Sequence, residues 1–162
     1  MMERIIVIGC PGSGKSTLSR KLQEKTGFPL HHLDMIWHKP DKTNITREEF
    51  DEVLEIILQR KNWIIDGNYS RTLEKRIQMC DTVLFLDLPT EVCLQGVQKR
   101  IGLKREDMPW VEDDLDDEFR EFIIRFANCE RPKIYTLLEK YPDKHVVIFH
   151  SHAEIDRYFQ SC

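Results

Sequence analysis

The sequence predicts a single α/β domain, a parallel sheet with helices on both faces, and three observations point to it. Five short apolar segments of strand length alternate with helical patterns along the chain. Such alternation implies parallel strands joined by right-handed helical crossovers. The stretch Gly9-Cys10-Pro11-Gly12-Ser13-Gly14-Lys15-Ser16 falls between the first strand and the first helix, the place that a G-x-x-x-x-G-K-[ST] phosphate-binding loop requires. Asp34, Asp66 and Asp87 each close an apolar strand pattern, at the sheet edge where open α/β sheets hold their ligands.

Composition sets the bounds. At 162 residues the chain suffices for one core and not for a second full domain, so residues 1–162 read as a single unit. With 41% apolar and 32% charged residues the composition is that of a soluble protein. No apolar run approaches a membrane span and no basic-then-apolar leader follows Met1, so the expected location is the cytoplasm, away from membranes. Cys10, Cys80, Cys93, Cys129 and Cys162 share no zinc or redox spacing, which predicts reduced thiols. A net charge of −4 argues against a broad nucleic-acid surface.

Taken in order, Arg4 to Ile8 forms the first strand, and the first helix runs from Lys15 to Lys25 and stops at Gly27. Phe28 to Leu33 reads as a short second strand with Pro29 at its start or edge. It delivers Asp34. His31, His32, Asp34 and His38 are grouped, but adjacent histidines on a strand point to opposite faces, so packing at the strand end is a better reading than a metal centre. Thr46-Arg47-Glu48-Glu49 spells a capping box for a helix that would bury Phe50, Val53, Leu54, Ile57 and Leu58. Asn62 to Asp66 is a buried strand, followed by a glycine turn and a helix from Ser70 to Met79. The segment from Asp81 to Pro89 contains the fourth strand, which carries Asp87.

Thr90 to Ile101 reads as a helix whose end carries Lys99, Arg100, Lys104 and Arg105 around Gly102. Two readings stay open for these cations: a closing lid over about 100–115, or a solvated helix end that complements the dipole. Beyond Met108-Pro109-Trp110, the acidic run Glu112 to Glu118 opens a helix with an apolar stripe of Leu115, Phe119, Phe122, Ile123 and Phe126. Arg131-Pro132 starts a long helix to Tyr141, His145 to Phe149 is the fifth strand, and Ala153 to Phe159 closes the chain.

The phosphate loop carries the chemistry. Glycines at 9, 12 and 14 permit backbone angles that turn successive N–H groups around a phosphate, and the following helix adds its positive end. Gly9, Pro11, Gly12, Ser13, Gly14, Lys15, Ser16 and Thr17 are the candidate nucleotide-binding residues. Lys15 would meet the terminal phosphates and Ser16 a nucleotide-bound magnesium. Cys10 reads as a small residue that fits, although a thiol beside Lys15 could be reactive. For the carboxylate that supports the metal, Asp66 and Asp87 are both candidates, and Val83 to Asp87 is the better match to four apolar residues followed by an aspartate.

These parts resemble the nucleoside monophosphate kinases and shikimate kinases. The shared order is phosphate loop, Asp34 after the second strand, Asp66-Gly67 after the third, Asp87-Leu88-Pro89 after the fourth, then an arginine-rich segment. Gly9 to Ser16, His32-Leu33-Asp34 with Trp37, Trp63 to Tyr69, Asp81 to Pro89 and Arg131-Pro132 are most similar to a small kinase-like family known as DNA topology modulation proteins. The resemblance implies a three-layer α/β/α sandwich of the P-loop NTPase type, with strand order 2-3-1-4-5 and a short arginine-bearing lid. It favours Asp66 over Asp87 as the magnesium-side acid, and makes Asp34 the residue that binds the acceptor or takes its proton. It also implies that Arg100, Arg105 and Arg125 act on transition-state charge and that Arg131 reaches the nucleotide. Adenylate kinases continue Phe-Pro-Arg after the Asp-Gly, whereas this chain has Asn68-Tyr69-Ser70-Arg71, which speaks against AMP as the acceptor.

The expected activity is transfer of the γ-phosphate of ATP, with Mg2+, to a small hydroxyl or phosphate acceptor, by a monomer or homodimer. A GTPase is disfavoured because the chain has no Asn-Lys-x-Asp segment. The remaining alternative is an ATP-binding regulator of DNA topology with little or no kinase activity, although an acidic chain without a reading helix is a poor candidate for direct DNA binding.

Overall fold

A computed structural model describes residues 2–160. The five strands are β1 (Arg4–Gly9), β2 (Leu30–His32), β3 (Trp63–Asp66), β4 (Thr82–Leu86) and β5 (His145–Phe149). They form one all-parallel sheet in the order β2-β3-β1-β4-β5, as the resemblance implied. The helices are α1 (Lys15–Thr26), α2 (Leu33–Trp37), α3 (Arg47–Leu58), α4 (Ser70–Met79), α5 (Thr90–Arg100), α6 (Asp117–Cys129), α7 (Arg131–Lys140) and α8 (His152–Gln160).

Burial follows from topology. The central strand β1 and its neighbours β3 and β4 are covered on both faces, so Ile5 to Ile8, Ile64, Ile65 and Val83 to Leu86 are fully buried. Continuous apolar runs suit such strands, whereas the edge strands β2 and β5 are only half-buried. Register also positions chemistry. Val7 and His32 lie opposite Asp66 on the two neighbouring strands, and Gly9 lies opposite Leu86.

Several local expectations hold. Gly27 caps α1 in the left-handed conformation and returns its N–H to the Gln23 carbonyl. Thr46 and Glu49 form both halves of the capping box. Residues 101–116 between α5 and α6 are turns and irregular chain. No helix among the described residues is long and apolar enough to cross a membrane. Cys10, Cys80, Cys93 and Cys129 are free thiols, and Cys162 lies outside the described residues.

Three expectations are corrected. The second strand ends at His32, and Leu33 turns into α2, so Asp34 lies in the first turn of a short helix rather than at a strand end. Leu33 is fully buried and packs on Gly67, where an added Cβ would lie 2.9 Å from the Leu33 Cβ. Val53 is 39% exposed because α3 buries a narrower stripe, Phe50, Leu54, Ile57 and Leu58. Phe122 is likewise open to the cavity described below rather than in the core.

Candidate active site

The site forms where β1 ends. Gly14 adopts φ 103° as the N-cap of α1, a conformation that favours glycine. At Gly12 the constraint is also space: an added Cβ would lie 2.0 Å from the Cys93 carbonyl oxygen, and one at Gly96 would lie 2.0 Å from the Gly12 oxygen. The loop and α5 therefore touch backbone to backbone. A second clamp comes from Asn68, whose side chain accepts from the Gly9 N–H at 3.0 Å and donates to the Gly9 carbonyl at 2.6 Å.

Within this frame the Lys15 ammonium donates to the carbonyls of Gly9 and Cys10 at 3.0 and 3.3 Å. Burial pushes its pKa down, and the carboxylates of Asp66 and Asp34 oppose that shift. Cys10 is buried, with its thiol directed to the Ile123 carbonyl. Its hydrogen bond with Cys93 and its burial push its pKa up, which makes it a poor thiolate. Gly9 and Ser13 sit behind the loop, whereas Pro11, Gly12, Gly14, Lys15, Ser16 and Thr17 face a cavity of about 1100 Å³. That volume accommodates a nucleotide beside a small second substrate.

Asp66 and Asp34 are two of the carboxylates that line the cavity. Asp66, at the end of β3 and 5% exposed, is hydrogen-bonded to His32 Nδ1 at 2.7 Å. Burial opposes protonation of His32, but this hydrogen bond and the Asp66 charge prevail and raise its pKa. Asp34 is more open and accepts the Tyr69 hydroxyl at 2.5 Å, with His38 at 3.9 Å. Tyr69 takes a left-handed backbone, φ 39°, unusual for a residue with a side chain. Arg76 stabilises that turn from below. It is fully buried and donates to the carbonyls of Gly67, Asn68 and Tyr69 and to the Thr72 hydroxyl. Burial lowers its pKa to about 9, so the guanidinium stays charged at neutral pH.

Asp87 is placed otherwise. It accepts from Arg131 Nε at 2.8 Å and from the Tyr135 hydroxyl at 2.6 Å, and does not line the cavity. Arg131 is thereby held at the start of α7 instead of at the phosphate loop. Arg125 pairs with Glu121 on the exposed face of α6 at 3.1 Å, away from the cavity. The structure thus brings together Lys15, Ser16, Asp34 and Asp66 with Arg100 and Arg105, but neither Arg125 nor Arg131.

Arg100, the last residue of α5, and Arg105, in the segment that follows, line the same cavity. Arg105 lies 3.1 Å from Asp107 and 3.2 Å from Glu112, and Arg100 lies 3.9 Å from Glu112. Asp107 in turn accepts the Ser16 hydroxyl at 2.5 Å. Sequence reasoning missed Asp107, Arg76 and His152, whose Nε2 lies 3.1 Å from the Ser13 carbonyl oxygen. His32, which the sequence marks only as strand-end packing, pairs with Asp66.

The site's donors are hard oxygens, the Ser16 hydroxyl and the Asp66 carboxylate, beside the Lys15 cation and the phosphate loop. That set fits a magnesium-bound nucleotide phosphate, because Mg2+ takes one or two carboxylates together with phosphate oxygens.

Comparison with known proteins agrees with this geometry. A family described as an AAA domain matches residues 5–120. An adenylate kinase from Thermotoga neapolitana is 26% identical and spans 77% of this chain and 74% of its own. A cytidylate kinase from Pyrococcus furiosus is also 26% identical, over 83% and 77%. Among solved structures, shikimate kinase from Bacteroides thetaiotaomicron superposes with a TM-score of 0.64 at 20% identity, covering 99% of this chain and 96% of its own. Shikimate kinase from Acinetobacter baumannii in complex with shikimate gives 0.64 at 16%, covering 99% and 93%. At such identities the structures speak to fold alone. The chain belongs to this AAA-domain family and is a relative of the P-loop nucleotide kinases.

Proposed function

We propose that the protein is a magnesium-dependent kinase that transfers the γ-phosphate of ATP to the hydroxyl of a small acceptor. One observation carries the reading: Lys15 and Ser16 of the phosphate loop share a single cavity with Asp66 and with Asp34, which faces them from α2. Lys15 would leave the carbonyls of Gly9 and Cys10 for the terminal phosphates. Ser16 and Asp66 would hold the magnesium, which when bound supplies neutralisation of the phosphate charge.

In the transfer the acceptor oxygen bonds to the γ-phosphorus as the bond to the β-phosphate oxygen breaks and ADP leaves. Asp34 takes the acceptor's proton, and Tyr69 orients its carboxylate. Arg100 and Arg105 supply positive charge as it builds on the equatorial oxygens. A hydroxyl acceptor is favoured over a nucleoside monophosphate because Arg71 is engaged by both oxygens of Asp51, at 3.1 and 2.8 Å.

The test is ADP release from Mg-ATP by the purified protein, alone and with pooled hydroxylated metabolites or nucleoside monophosphates, beside Lys15→Ala. Release that needs both a hydroxylated pool and Lys15 is the expected result. Nucleotide binding without release under any pool, together with salt-sensitive DNA binding, would replace this reading with that of a regulator.

A further inference from the structure

We propose that Asp107 is a positioning residue for the metal. It accepts the proton of the Ser16 hydroxyl and so turns the Ser16 oxygen lone pairs toward a nucleotide-bound magnesium. The inference rests on the kinase reading of the site and goes beyond it, since it gives the segment between α5 and α6 a part in loading the metal.

A hydroxyl has one proton to donate and two lone pairs to offer. In this structure the Ser16 proton is directed to Asp107 Oδ2 at 2.5 Å, although the two residues lie 91 positions apart. Asp66, the other acid at the loop, is hydrogen-bonded to His32. Asp107 is 8% exposed, and a carboxylate buried so deeply needs partners on both oxygens. It has them: Oδ2 faces Ser16, while Oδ1 lies 3.1 Å from Arg105, itself 3.2 Å from Glu112.

With both oxygens engaged, Asp107 orients Ser16 rather than ligating the cation itself. The charge chain Glu112, Arg105, Asp107, Ser16 then runs from the irregular segment to the phosphate loop. Closing that segment and orienting the metal ligand become one arrangement, and opening the segment would release Ser16 to rotate.

The experiment is calorimetric titration of ADP into the full chain, in EDTA and in excess Mg2+, for wild type, Asp107→Asn, Ser16→Ala and the double variant. Wild type is expected to bind ADP more tightly with the metal. Asp107→Asn should lose roughly 10- to 100-fold of that metal-dependent gain, the usual effect of removing a group that orients a metal ligand, with affinity in EDTA unchanged. In the Ser16→Ala background it should cost nothing more. Equal losses in both buffers would make Asp107 a lid contact only, and tighter Mg-ADP binding would make it a plug; either overturns the proposal while leaving the kinase reading intact. If wild type binds ADP in neither buffer, the kinase reading falls and this one with it. Should Asp107→Asn not fold, Asp107→Glu keeps the charge but displaces the carboxylate by a methylene, and a selective loss in Mg2+ is again expected.

Discussion

Asp66 ends β3 and Asp87 follows β4, the strands that flank β1 on either side, and the one-dimensional pattern, which favours Asp87, does not tell which of them reaches the site. Their partners do. Asp66 shares a cavity with Lys15 and Ser16, whereas Asp87 ties α7 to the sheet through Arg131 and Tyr135. Asp66→Ala is therefore expected to lower Mg2+-dependent ADP affinity by about tenfold or more. Asp87→Ala should instead cost about 1–3 kcal/mol of stability, because two donors lose a buried acceptor. Calorimetry and urea unfolding on the two variants check both, and a larger metal effect from Asp87→Ala would reverse the assignment. The adjacent histidines give a pH prediction. Burial, then Arg60 and His32, lower the His31 pKa, and its Nε2 is buried without a partner. The folded state then binds fewer protons than the unfolded chain, so stability should fall as pH drops through about 6.5. His32 acts oppositely: its raised pKa gives a contribution fully present below that value and lost as pH rises through the folded pKa. Urea midpoints between about pH 5 and 8 should show His31→Leu relieving the acid-side loss, leaving only the His32 dependence; an unchanged acid limb would refute the His31 assignment.

At the scale of elements, punctuation was legible and close approach was not. Gly27 and the Thr46/Glu49 box act through neighbours within four residues, which is why their spelling predicts their geometry. Asp34 changed element, and its neighbour Leu33 packs against Gly67, a contact between positions far apart in sequence. Gly96 is the sharper case. Within α5 it reads as a weak point of a helix, yet it is where α5 meets the phosphate loop, with the Gly12 carbonyl oxygen 2.0 Å from the position of a Cβ. Neither backbone can yield easily, so Gly96→Ala should displace the loop from α5. It is expected to destabilise the fold by about 1–3 kcal/mol and to weaken ADP binding with and without metal. Thermal unfolding paired with ADP titration checks this, and full retention of both would mean that the interface is more compliant than its geometry implies.

For the whole molecule, the cavity joins pieces from the phosphate loop, α1, α2, β3 and the turn after it, α5, the segment between α5 and α6, α6 and α8. Ligand that binds across so many elements should stabilise the fold as a unit. ADP at 100 times its Kd adds about 2.7 kcal/mol, which for a domain of this size raises Tm by about 5–10 °C. Lys15→Ala should abolish the rise, and a rise that persists in that variant would place the nucleotide elsewhere. The sequence by itself determined the strand and helix order, the phosphate loop with Lys15 and Ser16, and the caps, because these depend on periodicity and on residues adjacent along the chain. Tertiary structure alone decided that Asp66 rather than Asp87 reaches the cavity, that Arg76 supports the Tyr69 turn, that Arg125 and Arg131 face elsewhere, and that Asp107 meets Ser16. Asp107 with Ser16, Asp66 with His32 and Asp87 with Arg131 are contacts between segments tens of residues apart, and a chain's local pattern carries no information on which of several chemically equivalent side chains the fold will bring within 3 Å of one another.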